Sequence, residues 1–154
     1  MAKKRLSILN LERYLPYRIS ILSNRVSGVI AKTYQNKFGL SISEWRIMAV
    51  VGEYPSISAD EVSVKTQIEK SIISRSLQKL LKRQLVVRTV DTEDRRRQNL
   101  TLSKTGEDVY KQIVPVSYDY QDKLLKCLTK KEQEVFEDLV DRLYQHAERI
   151  DLKD

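Results

Sequence analysis

The hydrophobic pattern of this chain changes from a helical period to a strand period in its middle, and that change restricts the folds available to it. Over about residues 69–84 the apolar side chains recur at spacings of three and four, which predicts a helix. They are Ile72, Ile73, Leu77, Leu80 and Leu81. Residues 85–90 and 98–102 are instead β-branched and alternating, as in paired strands. The intervening residues 91–97 are polar, so we predict a helix followed by a β-hairpin with a charged tip.

Capping signals predict helices on both sides of this hairpin. Pro16 suits the first turn of a long helix that Gly39 ends. Three further helices open with a Ser or Thr that a Glu follows three residues later, the pattern of a capping box. These caps are Ser41, Ser58 and Thr129, and Ser103 is a further N-cap. Because the chain has only 4 Gly and 3 Pro, helix should dominate the fold.

Size and composition limit the class of protein. At 154 residues the chain fits a single domain, 1–154. Its one Cys excludes an intrachain disulfide, and no stretch approaches the ~20 apolar residues of a membrane span. The N-terminus lacks the apolar core of a secretion signal. We therefore expect a soluble, cytoplasmic protein with no membrane partner.

The positive charge of the chain is concentrated in one segment. Residues 65–104 contain eleven Lys and Arg against four Asp and Glu. Since the formal net charge of the whole chain is +7, this segment holds all of the excess. A generic solvated basic surface would spread the excess along the chain. Its concentration here is typical of a surface that binds a polyanion such as nucleic acid.

The order of elements is that of a winged helix-turn-helix: a short helix, a turn, a longer helix and a basic hairpin. A helix fits the major groove of DNA and reads base edges, and a basic hairpin tip reaches phosphates or the minor groove. On the polar face of the longer helix we expect DNA contacts from Lys70, Ser71, Ser74, Arg75 and Gln78. At the tip we expect them from Arg95, Arg96 and Arg97. The alternative for the tip is an ordinary solvated loop.

From about Leu15 to Tyr144 the sequence resembles the MarR family of bacterial regulators. The most specific segment is Asp94-x-Arg96, then five residues, then Leu102-Ser103-x-x-Gly106, which is similar to the wing signature of that family. Supporting matches are Phe38-Gly39-Leu40-Ser41, Glu44-Trp45-Arg46, and Lys70 with Ser74-Arg75.

The resemblance implies a mainly α fold with a small β-hairpin wing. Residues 40–103 would form the winged helix-turn-helix lobe, and 1–38 and 104–154 would be the dimerisation helices of a two-fold homodimer. Asp94 would orient a wing arginine, and Arg96 would enter the minor groove.

Three residues depart from the family pattern around the longer helix. Gln67 and Gln84 stand where Gly is common, and Glu69 stands where Asp would be a better N-cap. These departures put the turn geometry and the helix boundaries in question.

Together, residues and resemblance predict a regulator that binds double-stranded DNA at a pseudo-palindromic operator, with half-sites roughly 10 bp apart. Repression is the expected output. The resemblance alone implies an aromatic carboxylate or thioester effector, in a pocket that includes Tyr17, Trp45 and Tyr118. The alternatives are that Trp45 is a core residue and that the tyrosines are interface residues. The alternative function is general RNA or DNA binding without base readout.

Enzyme chemistry has little support in the sequence. His146 is the only histidine and there is no glycine-rich phosphate loop, so we expect no catalytic residue, cofactor or metal. Cys127 shares a stretch with Leu124 and Leu128, which predicts a buried thiol rather than a redox sensor.

Overall fold

A computed structural model of the chain describes residues 8–90 and 98–150. The described part is mainly helical with a small antiparallel sheet, which confirms the predicted fold class. In chain order the elements are α1 (Leu15–Phe38), α2 (Ile42–Glu53), β1 (Ile57–Ser58), α3 (Ala59–Thr66), α4 (Lys70–Lys82), β2 (Val86–Val90), β3 (Gln98–Leu102), α5 (Lys104–Leu125) and α6 (Lys130–Ala147).

The predicted caps lie at the observed helix starts. Ser41, Ser58 and Thr129 each form a complete capping box before α2, α3 and α6. Ser103 accepts a hydrogen bond from the backbone N–H of Gly106 at 2.9 Å and so caps α5. Since the first N–H groups of a helix lack partners within the helix, these side chains fix where each helix begins.

The sheet has three strands in the order β1-β3-β2, all antiparallel. The hairpin of β2 and β3, here called the wing, pairs Val86 with Leu102 and Val90 with Gln98. The sequence predicted these two strands but not β1, which has only two residues. Ile57 of β1 pairs with Leu100.

The described chain divides between Val114 and Pro115 into two compact units. The first unit holds the hydrophobic core, to which α1, α2, α3, α4, the sheet and the start of α5 all contribute. Its largest fully buried side chains include Tyr34, Leu40, Ile47, Met48, Leu80, Leu100 and Ile113.

The second unit contains the rest of α5, together with α6. No residue of α6 is buried in this chain. Gln133 of α6 donates hydrogen bonds to the carbonyl oxygens of Leu125 and Leu128, at 3.1 and 3.0 Å. These bonds join the start of α6 to the end of α5 and to the turn that follows it.

The prediction of a buried Cys127 thiol is wrong for this chain, because the residue is exposed. Helix α5 ends at Leu125, so the helical spacing that placed Cys127 beside Leu124 and Leu128 does not continue through it. The thiol lies 3.6 Å from the carbonyl oxygen of Leu124, in the turn before α6.

Among the helices of residues 8–90 and 98–150, none is long and apolar enough to cross a membrane.

Candidate nucleic-acid interface

Helices α3 and α4 form a helix-turn-helix around a tight turn at Gln67. Gln67 adopts a left-handed conformation with φ 53°, which is uncommon for a residue with a Cβ. Its side-chain amide donates to the carbonyl oxygen of Val64 at 2.8 Å. The hydroxyl of Ser63 donates to the carbonyl oxygen of Ile68 at 2.8 Å and ties the two sides of the turn together. The turn therefore forms although it lacks the expected glycine.

Helix α4 has one buried face and one exposed face. The buried side chains are Ile73, Ser76, Leu77 and Leu80. The five residues predicted to contact DNA are all exposed on the other side: Lys70, Ser71, Ser74, Arg75 and Gln78. The structure thus brings these five donor side chains to one accessible surface of α4, where no other described element covers them. Glu69 makes no side-chain cap at the start of the helix.

Two of these side chains have partners within the chain. The Lys70 ammonium lies 2.8 Å from the Asp60 carboxylate, and both side chains are about 80% exposed. The Arg75 Nε donates to the carbonyl oxygen of Ser71 at 3.4 Å. An exposed ion pair in water is weak, so a phosphate can displace Asp60 from Lys70 at little cost.

The wing follows α4 directly. Its predicted tip residues Asp94, Arg95, Arg96 and Arg97 lie outside the described residues. Their contacts therefore stay a prediction. Arg88 on β2 is exposed. It was not among the predicted contacts, because the alternating pattern that predicts a strand identifies its apolar residues and assigns no role to Arg88.

A further cation lies at the end of α3. The Lys65 ammonium stands 3.7 Å above the centre of the Tyr54 ring, a favourable cation–π arrangement. This contact holds Lys65 at the surface next to the turn. The charge of Lys65 is visible in the sequence, but its aromatic partner is not, since the two residues lie on different elements.

Comparison with known proteins adds to this geometry. The family model described as MarR family matches residues 38–97, which include α2, the helix-turn-helix and β2. The chain is therefore similar to the MarR family over its helix-turn-helix lobe. The curated proteins that it matches are HTH-type transcriptional regulators.

Several individual proteins are similar to this chain over most of its length. The HTH-type transcriptional regulator BilQ of Clostridium symbiosum is 24% identical over 75% of this chain and 80% of its own length. A MarR/EmrR family regulator from Acinetobacter sp. ADP1 shares the fold, with a TM-score of 0.85 and 22% identity over 92% of this chain and 100% of that one. PcaV of Streptomyces coelicolor, solved with its natural ligand, has a TM-score of 0.72 and 19% identity over 92% and 99% of the two chains.

The three predicted pocket residues have different surroundings in the structure. Trp45 is half-buried and packs between Tyr34 and Tyr110, with ring centroids 5.8 and 5.9 Å away. Tyr17 is exposed on α1. Tyr118 is 65% exposed and belongs to the second unit. Tyr34 and Tyr110 were missed, because spacing along one helix does not reveal a ring on another.

Within this aromatic cluster, burial affects the ionisation of Tyr34. Burial raises the pKa of the Tyr34 hydroxyl above its ordinary value, and the nearby Arg46 charge opposes that rise. The Arg46 guanidinium donates to the Ser27 hydroxyl at 3.0 Å. Tyr34 is therefore a neutral donor at physiological pH, next to a cation on α2.

Within the part of the chain that the structure describes, no group of three or more His, Cys, Asp or Glu side chains could hold a metal ion.

Proposed function

We propose that this chain is a MarR-family regulator that binds a pseudo-palindromic operator as a homodimer and represses transcription in the cytoplasm. The observation that carries the proposal is the exposed face of α4, with Lys70, Ser71, Ser74, Arg75 and Gln78 side by side. Lysine and arginine neutralise phosphates, and serine, glutamine and arginine hydrogen-bond base edges. Each subunit would place α4 in a major groove, and the wing would reach the neighbouring minor groove.

The wing contribution rests on sequence and family. Arg95, Arg96 and Arg97 supply three adjacent cations, and Asp94 would orient one of them. Strand β2, which leads to this tip, follows α4 along the chain, which supports the proposal that both cationic regions belong to one lobe, residues 40–103.

Unpaired apolar surface supports the homodimer. On α1 the side chains of Leu15, Ile19 and Leu22 are about half exposed, and on α6 a larger apolar set is exposed in the same way: Val135, Phe136, Leu139, Val140, Leu143 and Tyr144. Apolar surface of this extent favours association. We assign residues 1–38 and 104–154 to the dimer interface, and a two-fold dimer would present two α4 helices to successive turns of DNA.

An effector completes the proposal. The PcaV structure contains a natural ligand, and this chain has an aromatic cluster next to a cation at Trp45 and Arg46. We propose that an aromatic carboxylate or thioester binds between the dimer helices and the lobe, near Tyr17, Trp45 and Tyr118. Binding would favour a spacing of the two α4 helices that no longer matches the groove.

Selection of bound duplexes from a random pool tests the operator. We expect an inverted repeat whose half-sites lie roughly 10 bp apart. Gel shifts would then compare this duplex with random DNA and with duplex RNA at one salt concentration. Equal affinity for all three would overturn the proposal in favour of general nucleic-acid binding without base readout.

A further inference from the structure

Arg83 joins the end of α4 to the end of α1. Its Nη1 donates to the carbonyl oxygen of Gly39 at 3.2 Å, and its Nη2 donates to the carbonyl oxygen of Phe38. The last carbonyls of a helix lack partners within it and carry the negative end of the helix dipole. The planar guanidinium reaches both carbonyls at once, which a lysine ammonium does not match in geometry.

Glu44 holds Arg83 from a third direction. Its carboxylate is 5% exposed, with Oε2 4.0 Å from the Arg83 Nη1 and Oε1 3.8 Å from the Lys79 ammonium. Oε2 also accepts the backbone N–H of Ser41 at 3.1 Å. A buried carboxylate is stable only with cations and donors around it. Glu44 therefore binds the start of α2 to Lys79 of α4 and to Arg83, the residue that follows α4.

A third contact lies one turn earlier on α4. The hydroxyl of Ser76 is buried and donates to the Ser43 hydroxyl at 3.1 Å, and a hydrogen bond of 3.2 Å joins Ser43 to Ser41. Residues 76, 79 and 83 share one side of a helix, because their spacings are three and four. Helix α4 is therefore fastened by polar contacts along one side, to the start of α2 and the end of α1.

We infer that Arg83 and Glu44 are a positioning pair, which fixes the angle of α4 relative to α1 and thereby its fit to the operator. The inference rests on the proposed function. Apolar packing by Ile73, Leu77 and Leu80 holds α4 on the core, but such packing is not directional. Directional hydrogen bonds to two carbonyls and contact with a buried carboxylate determine how α4 is rotated about its axis and where it lies along that axis. Base readout depends on both, whereas phosphate attraction does not.

Two variants test the pair in the full-length protein, with the selected operator and a random duplex of equal length. Arg83→Lys keeps the charge and loses the planar fork. Glu44→Gln keeps an oxygen for the Ser41 N–H and loses the buried charge. For each we expect the ratio of operator affinity to random-duplex affinity to fall about tenfold. Affinity for the random duplex and its salt dependence should stay unchanged.

A double-mutant cycle adds a readout that simple loss of stability would not give. If the two residues act as one pair, the double variant should lose no more discrimination than either single variant. Lys82→Gln is the control, because Lys82 is an exposed cation next to Arg83 on α4. It should lower both affinities equally, or neither, and leave the ratio unchanged.

The outcomes separate the inference from the function beneath it. If the wild-type protein does not discriminate between duplexes, the proposed function fails. If the wild type discriminates and both variants keep its ratio, the positioning pair is overturned. It is also overturned if Arg83→Lys weakens binding to both duplexes equally, because Arg83 would then contact phosphate directly. Circular dichroism checks that each variant is folded, and Glu44→Gln provides the test if Arg83→Lys does not fold.

Discussion

The α carbon of Gly106 lies directly against the backbone carbonyl of Leu85. A Cβ added at Gly106 would stand 1.9 Å from the Leu85 oxygen, far inside contact distance. The same oxygen accepts the backbone N–H of Ser103 at 3.1 Å, and the Ser103 hydroxyl donates to the carbonyl oxygen of Gln84. The start of α5 is thus docked on the link between α4 and β2, and only glycine allows this approach.

Gly106→Ala should therefore destabilise the protein strongly. Either the Leu85 carbonyl or α5 must move, and we expect the free energy of unfolding to fall by about 3 kcal/mol. Gly28→Ala is the matched control, because no atom lies within 4 Å of a Cβ at that position of α1. This control variant should have a free energy of unfolding higher than the wild type by up to about 1 kcal/mol, because alanine has the greater helix propensity. Urea unfolding at one protein concentration measures both, and equal effects would contradict the close approach.

Gln84 ends α4 in a geometry that normally uses glycine. Its φ is 56°. The Gln84 N–H donates to the carbonyl oxygen of Leu81, and the Leu85 N–H donates to the carbonyl oxygen of Leu80, both at 3.0 Å. This is the Schellman pattern. The left-handed conformation lowers the free energy of unfolding by about 1–2 kcal/mol for a residue that has a Cβ. Glycine avoids this strain, but its greater entropy in the unfolded state offsets part of the gain.

We expect Gln84→Gly to raise the free energy of unfolding by less than about 1 kcal/mol, and the β-branched Gln84→Val to lower it. Thermal unfolding at matched concentration decides between them. A stabilised Val variant would mean that the left-handed conformation is not required at this position.

Helix starts and faces could be predicted from the sequence because they depend on neighbours along the chain. The capping boxes at Ser41, Ser58 and Thr129 form with residues three positions away. The left-handed turns at Gln67 and Gln84 could not be predicted in this way, since both lack glycine. Their conformation is imposed by hydrogen bonds and by packing of the helices they join.

The contacts between distant segments described below could not be predicted from the sequence. Strand β1 exists only through its pairing with β3, and the bond from Arg83 to Gly39 spans 44 residues. The exposed face of α4 followed from periodicity alone. The aromatic neighbours of Trp45 did not, because Tyr34 and Tyr110 come from separate helices.

Glu132 should titrate at unusually low pH. Hydrogen bonds from the backbone and then the side chain of Thr129 lower the pKa of this carboxyl below its ordinary value of 4.5. A carboxyl with a depressed folded-state pKa stabilises the fold above its unfolded-state pKa, and that contribution is lost as pH falls through the folded-state pKa. The start of α6 should therefore loosen only in acid.

Carbon-13 NMR of the Glu132 carboxyl measures this pKa directly. Thr129→Val removes the hydroxyl but keeps the backbone N–H, which is the larger cause. The pKa should then move only part of the way back toward 4.5. Complete return would assign the shift to the hydroxyl instead, and an ordinary value in the wild type would mean that the capping box is open in solution.

Asp60 should restrain DNA binding through its ion pair with Lys70. The two charges are 2.8 Å apart and both side chains are largely exposed, so the pair adds little to folding. Asp60→Asn should leave the free energy of unfolding within about 1 kcal/mol of the wild type. It should raise affinity for operator and random duplex alike, by about threefold at low salt. The reason is that Lys70 no longer has to release the Asp60 carboxylate before it binds a DNA phosphate.

Asp138→Asn is the matched control, since it removes the same charge from an exposed ion pair with Arg142 on α6. If only net charge mattered, the two variants would bind DNA equally well. A local effect at the α4 surface predicts a gain for Asp60→Asn alone, and one that remains at physiological salt, where charges more than about 8 Å apart are largely screened. Equal gains would remove Lys70 from the proposed contacts, whereas a gain confined to Asp60→Asn would place a DNA phosphate beside its ammonium.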